Sequence, residues 1–201
     1  TLENIDLVIL AGGKGTRIKE LLGVYPKPMV KFNGKHFIQY ILNTACKYNF
    51  KRIIILCGYR HQILFKRFHK KLINLTEILC IRERELLGTG GALSNLKKLK
   101  VQDFVLVNGD TVFDINIDKL ISSVGKKQIG IVALTKNINQ KSKKLNNLGL
   151  KKKLLYFKKN SQLMNGGIYF FKKEIFKYII NKKNSLENDL LPSLINQKKI
   201  N

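Results

Sequence analysis

Tryptophan is absent from this chain, and proline and cysteine occur only three times each among its 201 residues. Long apolar runs are absent too: none approaches the ~18–20 residues that cross a bilayer, so no membrane insertion is expected. The first ten residues are a short apolar run without a basic n-region or a cleavage site, which argues against a secretory signal. Hydrophobic residues make up 44% of the chain, so global disorder is excluded and one ordinary domain is expected.

The three cysteines, Cys46, Cys57 and Cys80, show no CxxC or Cys/His spacing. A chain of this length does not need disulfides to stabilise its core, and three thiols cannot all pair with one another. We therefore expect reduced cysteines that pack as small hydrophobic residues, no zinc site and a cytoplasmic location.

Acidic residues are scarce: 13 Asp and Glu stand against 38 Lys and Arg, which gives a net charge of +25. Such an excess is typical of nucleic-acid binders. However, 32 of the basic residues are Lys and only six are Arg, and they are spread from Lys14 to Lys199. Specific recognition of phosphates and bases relies on the Arg fork. The sequence therefore predicts no specific nucleic-acid partner, but a surface that attracts phosphorylated metabolites.

Apolar, β-branched runs alternate with helical patterns through the first two thirds of the chain. Strands are predicted at 5–10, 52–57, 77–82, 104–108 and 129–135, and helices at 37–48, 61–72 and 91–99. Beyond residue 136 we expect a loop and hairpin at 141–153, strands at 154–157 and 167–171, and helices at 173–180 and 187–195, with Ser185 as an N-cap. The fold class is therefore α/β: a three-layer α/β/α sandwich with a Rossmann-like, mostly parallel sheet.

A glycine-rich turn, Leu10-Ala11-Gly12-Gly13-Lys14-Gly15-Thr16-Arg17, follows the first predicted strand. Ligands of open parallel sheets bind at the carboxyl ends of the strands, and glycines there let backbone N–H groups approach a phosphate. Walker A is excluded because Lys14 precedes Gly15, and the dinucleotide fingerprint is excluded because position 18 is Ile. The turn therefore predicts a phosphate-binding loop, and a plain tight turn is the alternative.

Lys27 and Asp110 lie in segments that suit charged residues of a ligand site. Lys27 lies between Pro26 and Pro28, which restrict the backbone around it, although a surface loop is the default for such a segment. Asp110 follows a predicted buried strand, where a carboxylate can hold Mg²⁺ together with nucleotide phosphates, and a turn Asp is the alternative. A second glycine-rich loop, 85–92, opens a predicted helix whose N-terminus attracts anions or polar base edges.

The chain resembles the sugar-phosphate nucleotidyltransferases in six segments that follow in order: LAGGKGTR, PKPM, LGTGGAL, NGDT, NGGIY and SLENDLLP. Within that family the likeness is to the type that guanylylates D-glycero-D-manno-heptose 1-phosphate, and it runs from Leu7 to Leu194. The resemblance implies the nucleotide-diphospho-sugar transferase fold and an in-line attack of a sugar 1-phosphate on the α-phosphorus of an NTP, here GTP. It also implies Mg²⁺ as the cofactor and nucleotide-sugar synthesis for capsule or lipopolysaccharide.

The resemblance implies roles residue by residue. The catalytic set is Arg17, Lys27 and Asp110, with Asp110 as the metal ligand. The nucleotide would be bound by Leu10, Ala11, Gly12, Gly13, Gly15, Thr16, Arg17, Glu85, Gly88 and Thr89. The sugar phosphate would be bound by Asn108, Gly109, Lys159, Asn165, Gly166 and Glu187. Within one domain spanning 1–201, residues 1–135 would form the nucleotide-binding part and 136–201 the sugar-phosphate-binding part.

Two departures from the family pattern bear on these roles. The usual Glu-Lys pair before the NGGIY-like segment is replaced by Lys158-Lys159, so either lysine is a candidate for the sugar phosphate. Members also continue beyond Asn201 into an Asp-Ile-Gly-like segment that carries a second metal ligand, so either this chain is part of a longer protein or its metal site is incomplete. Alternatives are a mannose-1-phosphate guanylyltransferase, a glucose-1-phosphate thymidylyl- or cytidylyltransferase, and a non-catalytic nucleotide-sugar-binding subunit. Family members commonly associate, which implies a homo-oligomer.

Overall fold

The computed structural model describes residues 2–13, 25–83, 85–136, 148–158, 161–180 and 182–201. Its strands are β1 (Asp6–Ala11), β2 (Lys31–Phe32), β3 (Lys35–His36), β4 (Arg52–Cys57), β5 (Lys71–Ile73), β6 (Thr76–Arg82), β7 (Phe104–Asn108), β8 (Gly130–Lys136), β9 (Leu148–Lys151), β10 (Leu154–Phe157) and β11 (Leu163–Phe171). Its α-helices are α1 (Phe37–Ala45), α2 (His61–Phe68), α3 (Gly88–Gly91), α4 (Ile117–Ser122) and α5 (Leu191–Asn196). Short 3₁₀ segments are Leu2–Asn4, Lys27–Met29, Ala92–Leu99 and Lys173–Lys177, and Leu186–Leu190 is a π-helical turn.

Seven strands form the central sheet in the order β5-β6-β4-β1-β7-β11-β8. The pairs β4–β6, β1–β4 and β1–β7 are parallel, whereas β11 runs antiparallel to both β7 and β8, and β5 runs antiparallel to β6. Five of the seven strands therefore point the same way, which confirms the predicted mostly parallel sheet. A separate antiparallel hairpin joins β9 and β10, so the hairpin extends past the predicted 141–153 to include the strand predicted at 154–157. Residues 141–147 of the predicted loop lie outside the described residues.

The sheet is covered on both faces. Leu7 and Ile9 of β1 belong to one hydrophobic cluster, which includes the buried side chains of α1 and α2, while Val8 between them belongs to a second cluster. That second cluster includes Leu93 of the 3₁₀ segment and Leu194 of α5. Because consecutive strand residues point to opposite faces, the apolar runs read from the sequence require a layer on each side. The three-layer sandwich is confirmed.

A half-buried ion pair links β1 and β4. The Arg52 guanidinium donates from Nε to Oδ1 of Asp6 at 2.8 Å and from a terminal nitrogen to Oδ2 at 2.7 Å. The two residues are register partners, and Asp6 is only 2% exposed. The hydrogen bonds to Asp6 raise the pKa of Arg52. A bidentate pair at the amino ends of two adjacent strands helps to align their carboxyl ends, where the ligand site is expected.

The structure corrects several predicted helices. The helix expected over 61–72 ends at Phe68, because His69 is extended and Lys70 has a positive φ of 57°; Lys71 and Leu72 instead start the edge strand β5. The helix expected over 91–99 starts earlier, at Gly88, and continues as a 3₁₀ segment.

Other boundaries differ as well. Helix α1 ends three residues before the predicted 48, and 173–180 forms only a short 3₁₀ segment. The predicted helix at 187–195 is a π turn followed by α5, and Ser185 caps the turn as expected by accepting from the Asn188 N–H at 3.1 Å. The predicted strand at 167–171 begins earlier, at Leu163. Helix α4 was not predicted, although Asn116 caps it by accepting from the Lys119 N–H.

Cys57 and Cys80 are buried and Cys46 is half-buried, in agreement with the predicted packing role for the first two. Among the described residues, no helix has the length and apolar character required to span a membrane.

Candidate active site

A cleft of about 760 Å³ opens at the carboxyl ends of β1, β6 and β7. It is lined by Leu10, Ala11, Gly12, Gly13, Lys27, Pro28, Glu83, Leu86, Gly88, Thr89, Ala92, Asn108, Gly109, Asp110, Lys183 and Glu187. This is the position at which open α/β sheets bind ligands. The structure therefore brings together residues from all but one of the six motifs found in the sequence; the exception is the segment around Asn165.

The turns after β1 and β7 pack against each other without side chains between them. The Gly109 N–H donates to the Leu10 carbonyl at 2.9 Å, and a Cβ at Gly109 would lie 2.4 Å from that carbonyl oxygen. Any other residue at 109 would therefore push the two turns apart. The close approach places Gly12 and Gly13 and the segment 108–110 on one wall of the cleft.

Lys27 and Asp110 form an ion pair on that wall. The Lys27 backbone begins a 3₁₀ turn preceded by Pro26, and the Met29 N–H donates to the Pro26 carbonyl at 2.8 Å. Met29 is 1% exposed, and its carbonyl contacts Nδ1 of His36 at 2.6 Å, so the turn is fixed from the core side. The two prolines and the contact of Met29 with His36 restrict this turn, and the Lys27 ammonium lies beside the end of β7. The sequence alone could not show that position.

Asp110 fits one particular kind of metal site. The described residues contain no group of three or more His, Cys, Asp or Glu side chains able to hold a metal ion together. An all-protein cage is therefore not formed by this part of the chain. The Asp110 side chain is 47% exposed and faces a cleft of nucleotide size. Mg²⁺ commonly takes one or two carboxylates and completes its shell with water and substrate phosphates, and Asp110 fits that role.

Glu83 lines the cleft and was missed in the sequence. It follows the last residue of β6, is 8% exposed, and its Oε1 would lie 2.2 Å from a Cβ at Gly12. Burial raises the pKa of Glu83 to about 7, against a smaller opposing effect of a hydrogen bond from the Leu87 backbone. Glu85, which the resemblance pointed to, is exposed and does not line the cleft. The rule that singled out Asp110, a carboxylate just beyond a buried strand, would also have found Glu83.

Asn108 and Asn165 meet through a buried tyrosine. Asn165 donates from Nδ2 to the Tyr169 hydroxyl at 2.8 Å and accepts from the Gly167 N–H at 2.9 Å, across an irregularity in the β8–β11 pairing. Asn108 also hydrogen-bonds Tyr169, whose pKa is raised by burial. Asn165 and Gly166 lie outside the cleft lining, whereas Asn108 lines it. Oδ1 of Asn108 is buried without a hydrogen-bond partner among the described residues, a costly arrangement that often marks a functional site.

Gly88, Thr89 and Glu187 also line the cleft, and their predicted roles stay predictions. The Thr89 hydroxyl donates to Oε2 of Glu187 at 2.8 Å. Lys183 also lines the cleft and was not predicted. Gly15, Thr16, Arg17 and Lys159 fall outside the described residues, so their predicted roles stay predictions; Lys158 is exposed.

Comparison with known proteins identifies the family of this chain. Residues 7–201 match the family model for nucleotidyl transferases. A D-glycero-alpha-D-manno-heptose 1-phosphate guanylyltransferase of Campylobacter jejuni subsp. jejuni serotype O:2 is 31% identical over 194 residues, which cover 92% of this chain and 85% of the relative. HddC from Yersinia pseudotuberculosis, crystallised with GMP-PN, superposes with a TM-score of 0.76 at 30% identity, covering 94% of this chain and 85% of HddC.

A more distant structure supports the fold alone. A putative glucose-1-phosphate thymidylyltransferase from Bacillus anthracis superposes with a TM-score of 0.82 at 15% identity, over 98% of this chain and 85% of that one. The sheet order, the cleft at the strand ends and the matches over nearly the whole length agree, and the chain therefore belongs to the nucleotidyl transferase family as a sugar 1-phosphate nucleotidyltransferase.

Proposed function

We propose that the protein transfers a guanylyl group from GTP to D-glycero-D-manno-heptose 1-phosphate and releases pyrophosphate. A phosphate oxygen of the sugar 1-phosphate attacks the α-phosphorus of GTP, and the bond from that phosphorus to the oxygen bridging to the β-phosphate breaks. The nucleophile is already an anion, so the reaction requires no general base. Catalysis then consists of positioning and charge neutralisation. The relatives named above support this choice of base and sugar.

The buried Glu83 carboxylate is the observation that carries the choice of base. Guanine presents N1–H and the N2 amino group side by side, and an ionised carboxylate can accept from both. The other common bases do not present two adjacent donors on that edge. Glu83 lines the cleft with Gly12 and Leu86 and has no ion-pair partner among the described residues. A bound guanine would add two donors to the hydrogen bond that Glu83 already accepts from the Leu87 backbone. The nucleotide would then extend toward Lys27 and Asp110.

The charged residues have distinct tasks in this proposal. Lys27 would neutralise charge that develops at the α-phosphate, and Asp110 would be the protein ligand of Mg²⁺, which supplies charge neutralisation on the phosphate oxygens when bound. Glu187 and Asn108 would contact the sugar, and Arg17 the outer phosphates. We further propose a cytoplasmic enzyme, associated as a homo-oligomer, that provides activated heptose for capsule or lipopolysaccharide.

The test is a matrix of the four NTPs against heptose, mannose, glucose and N-acetylglucosamine 1-phosphates with Mg²⁺, followed by pyrophosphate release. GTP with the heptose 1-phosphate should give the highest kcat/KM. Preference for another base or hexose would replace the proposed substrates, and no release with any pair would favour a non-catalytic binding subunit.

Glu83→Gln gives the sharper test of base selection. Its amide keeps only one acceptor, so the preference for GTP over ATP should fall by roughly 10- to 100-fold, the value of one hydrogen bond to a charged group. Glu85→Gln is the matched control, because Glu85 is exposed and lies two residues away. If Glu83→Gln retained the preference for GTP, Glu83 would not read the base.

A further inference from the structure

The loop that opens the base side of the cleft is joined by backbone contacts to the segment that carries Glu187. The Asn184 N–H donates to the Leu87 carbonyl at 2.8 Å, and the N–H groups of Gly90 and Gly91 donate to the Asn184 carbonyl at 3.0 and 3.2 Å. A Cβ at Gly88 would lie 2.6 Å from the Asn184 carbonyl oxygen, and a Cβ at Gly91 would lie 2.5 Å from the Lys182 carbonyl oxygen. Because these neighbours are backbone atoms, side chains at 88 and 91 would separate α3 from residues 182–187.

The Thr89 side chain completes this contact, which uses its only donor hydrogen. Its hydroxyl oxygen accepts from the Leu186 N–H at 2.9 Å, and its hydroxyl hydrogen is donated to Oε2 of Glu187 at 2.8 Å. Ser185 donates to the same oxygen at 3.3 Å. A hydroxyl has one hydrogen to donate, so Thr89 cannot donate to a nucleotide while it holds Glu187. Both donors end on Oε2, and Oε1 takes no part in these bonds.

We propose that Thr89 is a positioning residue for the sugar side of the cleft: it orients the Glu187 carboxylate so that the second oxygen is presented to a hydroxyl of the sugar 1-phosphate. This reassigns the Thr89 hydroxyl from nucleotide binding, the role that the resemblance implied for Thr89, and leaves the Thr89 backbone out of account. The inference rests on the proposed function only in that Glu187 contacts the sugar. It also gives a role to the hydrogen bond that joins Thr89, in the predicted nucleotide-binding part, to Glu187, in the predicted sugar-phosphate-binding part.

The test compares Thr89→Val with Thr89→Ser in steady-state kinetics, using the sugar 1-phosphate on which the wild-type protein is most active. Thr89→Val keeps the shape but removes both hydrogen bonds of the hydroxyl. The KM for the sugar 1-phosphate should rise about 10- to 100-fold, as for other residues that orient a ligand-binding carboxylate, while the KM for GTP changes by less than about twofold. Thr89→Ser should restore the wild-type KM.

Two further variants separate orientation from general damage. Thr44→Val is the matched control, since Thr44 is half-buried on α1 and its hydroxyl donates only to the Tyr40 carbonyl, away from the cleft. It should leave both KM values unchanged. In a Glu187→Gln background, Thr89→Val should add little, because the two residues act through one interaction.

Three results would overturn the inference: equal increases in both KM values after Thr89→Val, failure of Thr89→Ser to restore the wild-type values, or full additivity with Glu187→Gln. Failure of the proposed function is a separate result. If the wild-type protein prefers a sugar 1-phosphate other than the heptose, the proposed substrate is wrong, and the comparison of the Thr89 variants on the preferred substrate still decides the role of Thr89.

Discussion

Two carboxylates follow two strands of the same sheet, and their surroundings differ sharply. Asp110, after β7, has a side chain that is 47% exposed and pairs with Lys27. Glu83, after β6, is 8% exposed, and burial raises its pKa to about 7. An exposed ion pair contributes only about 0–1 kcal/mol of stability. Asp110 and Lys27 can therefore separate at little cost, so that Asp110 binds a metal ion and Lys27 contacts a phosphate. A buried acid can distinguish between ligands by hydrogen bonding, because a buried acceptor without a hydrogen-bond donor is costly.

The largest effect is expected at the exposed end of the cleft, for Lys27→Ala. If Lys27 meets charge that develops during attack on the α-phosphorus, kcat should fall about 10²- to 10³-fold while the KM for GTP changes little. Steady-state kinetics with saturating sugar 1-phosphate measures this. Lys71→Ala is the control, because Lys71 is exposed on the edge strand β5. Equal and small effects of the two substitutions would remove Lys27 from the reaction.

Asp110→Asn should follow, with turnover reduced about 10²-fold in a protein that remains folded, because a neutral amide is a poor ligand for Mg²⁺. A titration of activity with Mg²⁺ should show a weaker apparent affinity in the variant, and circular dichroism should show an unchanged fold. Near-normal turnover at low Mg²⁺ would end the assignment of Asp110 as the metal ligand and would leave it only as the partner of Lys27.

The smallest effect concerns stability and contrasts the two carboxylates directly. The folded-state pKa of Glu83 is raised from 4.5 to about 7, so the folded protein binds more protons than the unfolded chain between these values, and stability falls as pH rises through them. Glu83→Gln removes this titration. At pH 8 it should therefore raise the free energy of unfolding by about 1–2 kcal/mol relative to its effect at pH 5, after allowance for partial solvent screening.

Chemical denaturation at both pH values measures this difference. Asp110→Asn, changed at an exposed carboxylate, serves as the comparison. A gain of the same size in both variants, or in neither, would show that the two carboxylates do not differ in the way their burial indicates.

The parallel core of the sheet was predictable, and its edges were not. The runs 52–57 and 104–108 coincide with β4 and β7, because strands buried on both faces must be continuously apolar. At the edge, the pattern of 61–72 fits a helix, yet Lys71 lies on β5, where it pairs with Ile78. Edge strands face solvent on one side and carry little periodic signal, so tertiary pairing decided their structure.

The candidate site likewise contains residues that the sequence indicated and features that it did not. Lys27, Asp110 and Gly88 were recognisable because glycine- and proline-rich turns next to buried strands indicate a ligand site before any contact is known, whereas Glu187 was found only through the family resemblance. Glu83 directly follows a strand and Glu85 lies two residues further along the loop, so the rule used for Asp110 points to Glu83. That rule does not show that Glu83 is buried and Glu85 exposed. The turn after β1 brings Gly12 against Glu83, and burial in the folded protein raises the pKa of Glu83.

By itself, then, the sequence determined the α/β class, the parallel core and the order of the motifs, since these depend on apolar periodicity and on residues with special backbone geometry. The tertiary structure decided which side chains share an environment. It paired Lys27 with Asp110 across 83 positions of the chain and Thr89 with Glu187 across 98 positions. Such contacts follow from the crossing of loops at one edge of the sheet, and burial, charge and hydrogen bonding at each atom depend on all the elements that meet there.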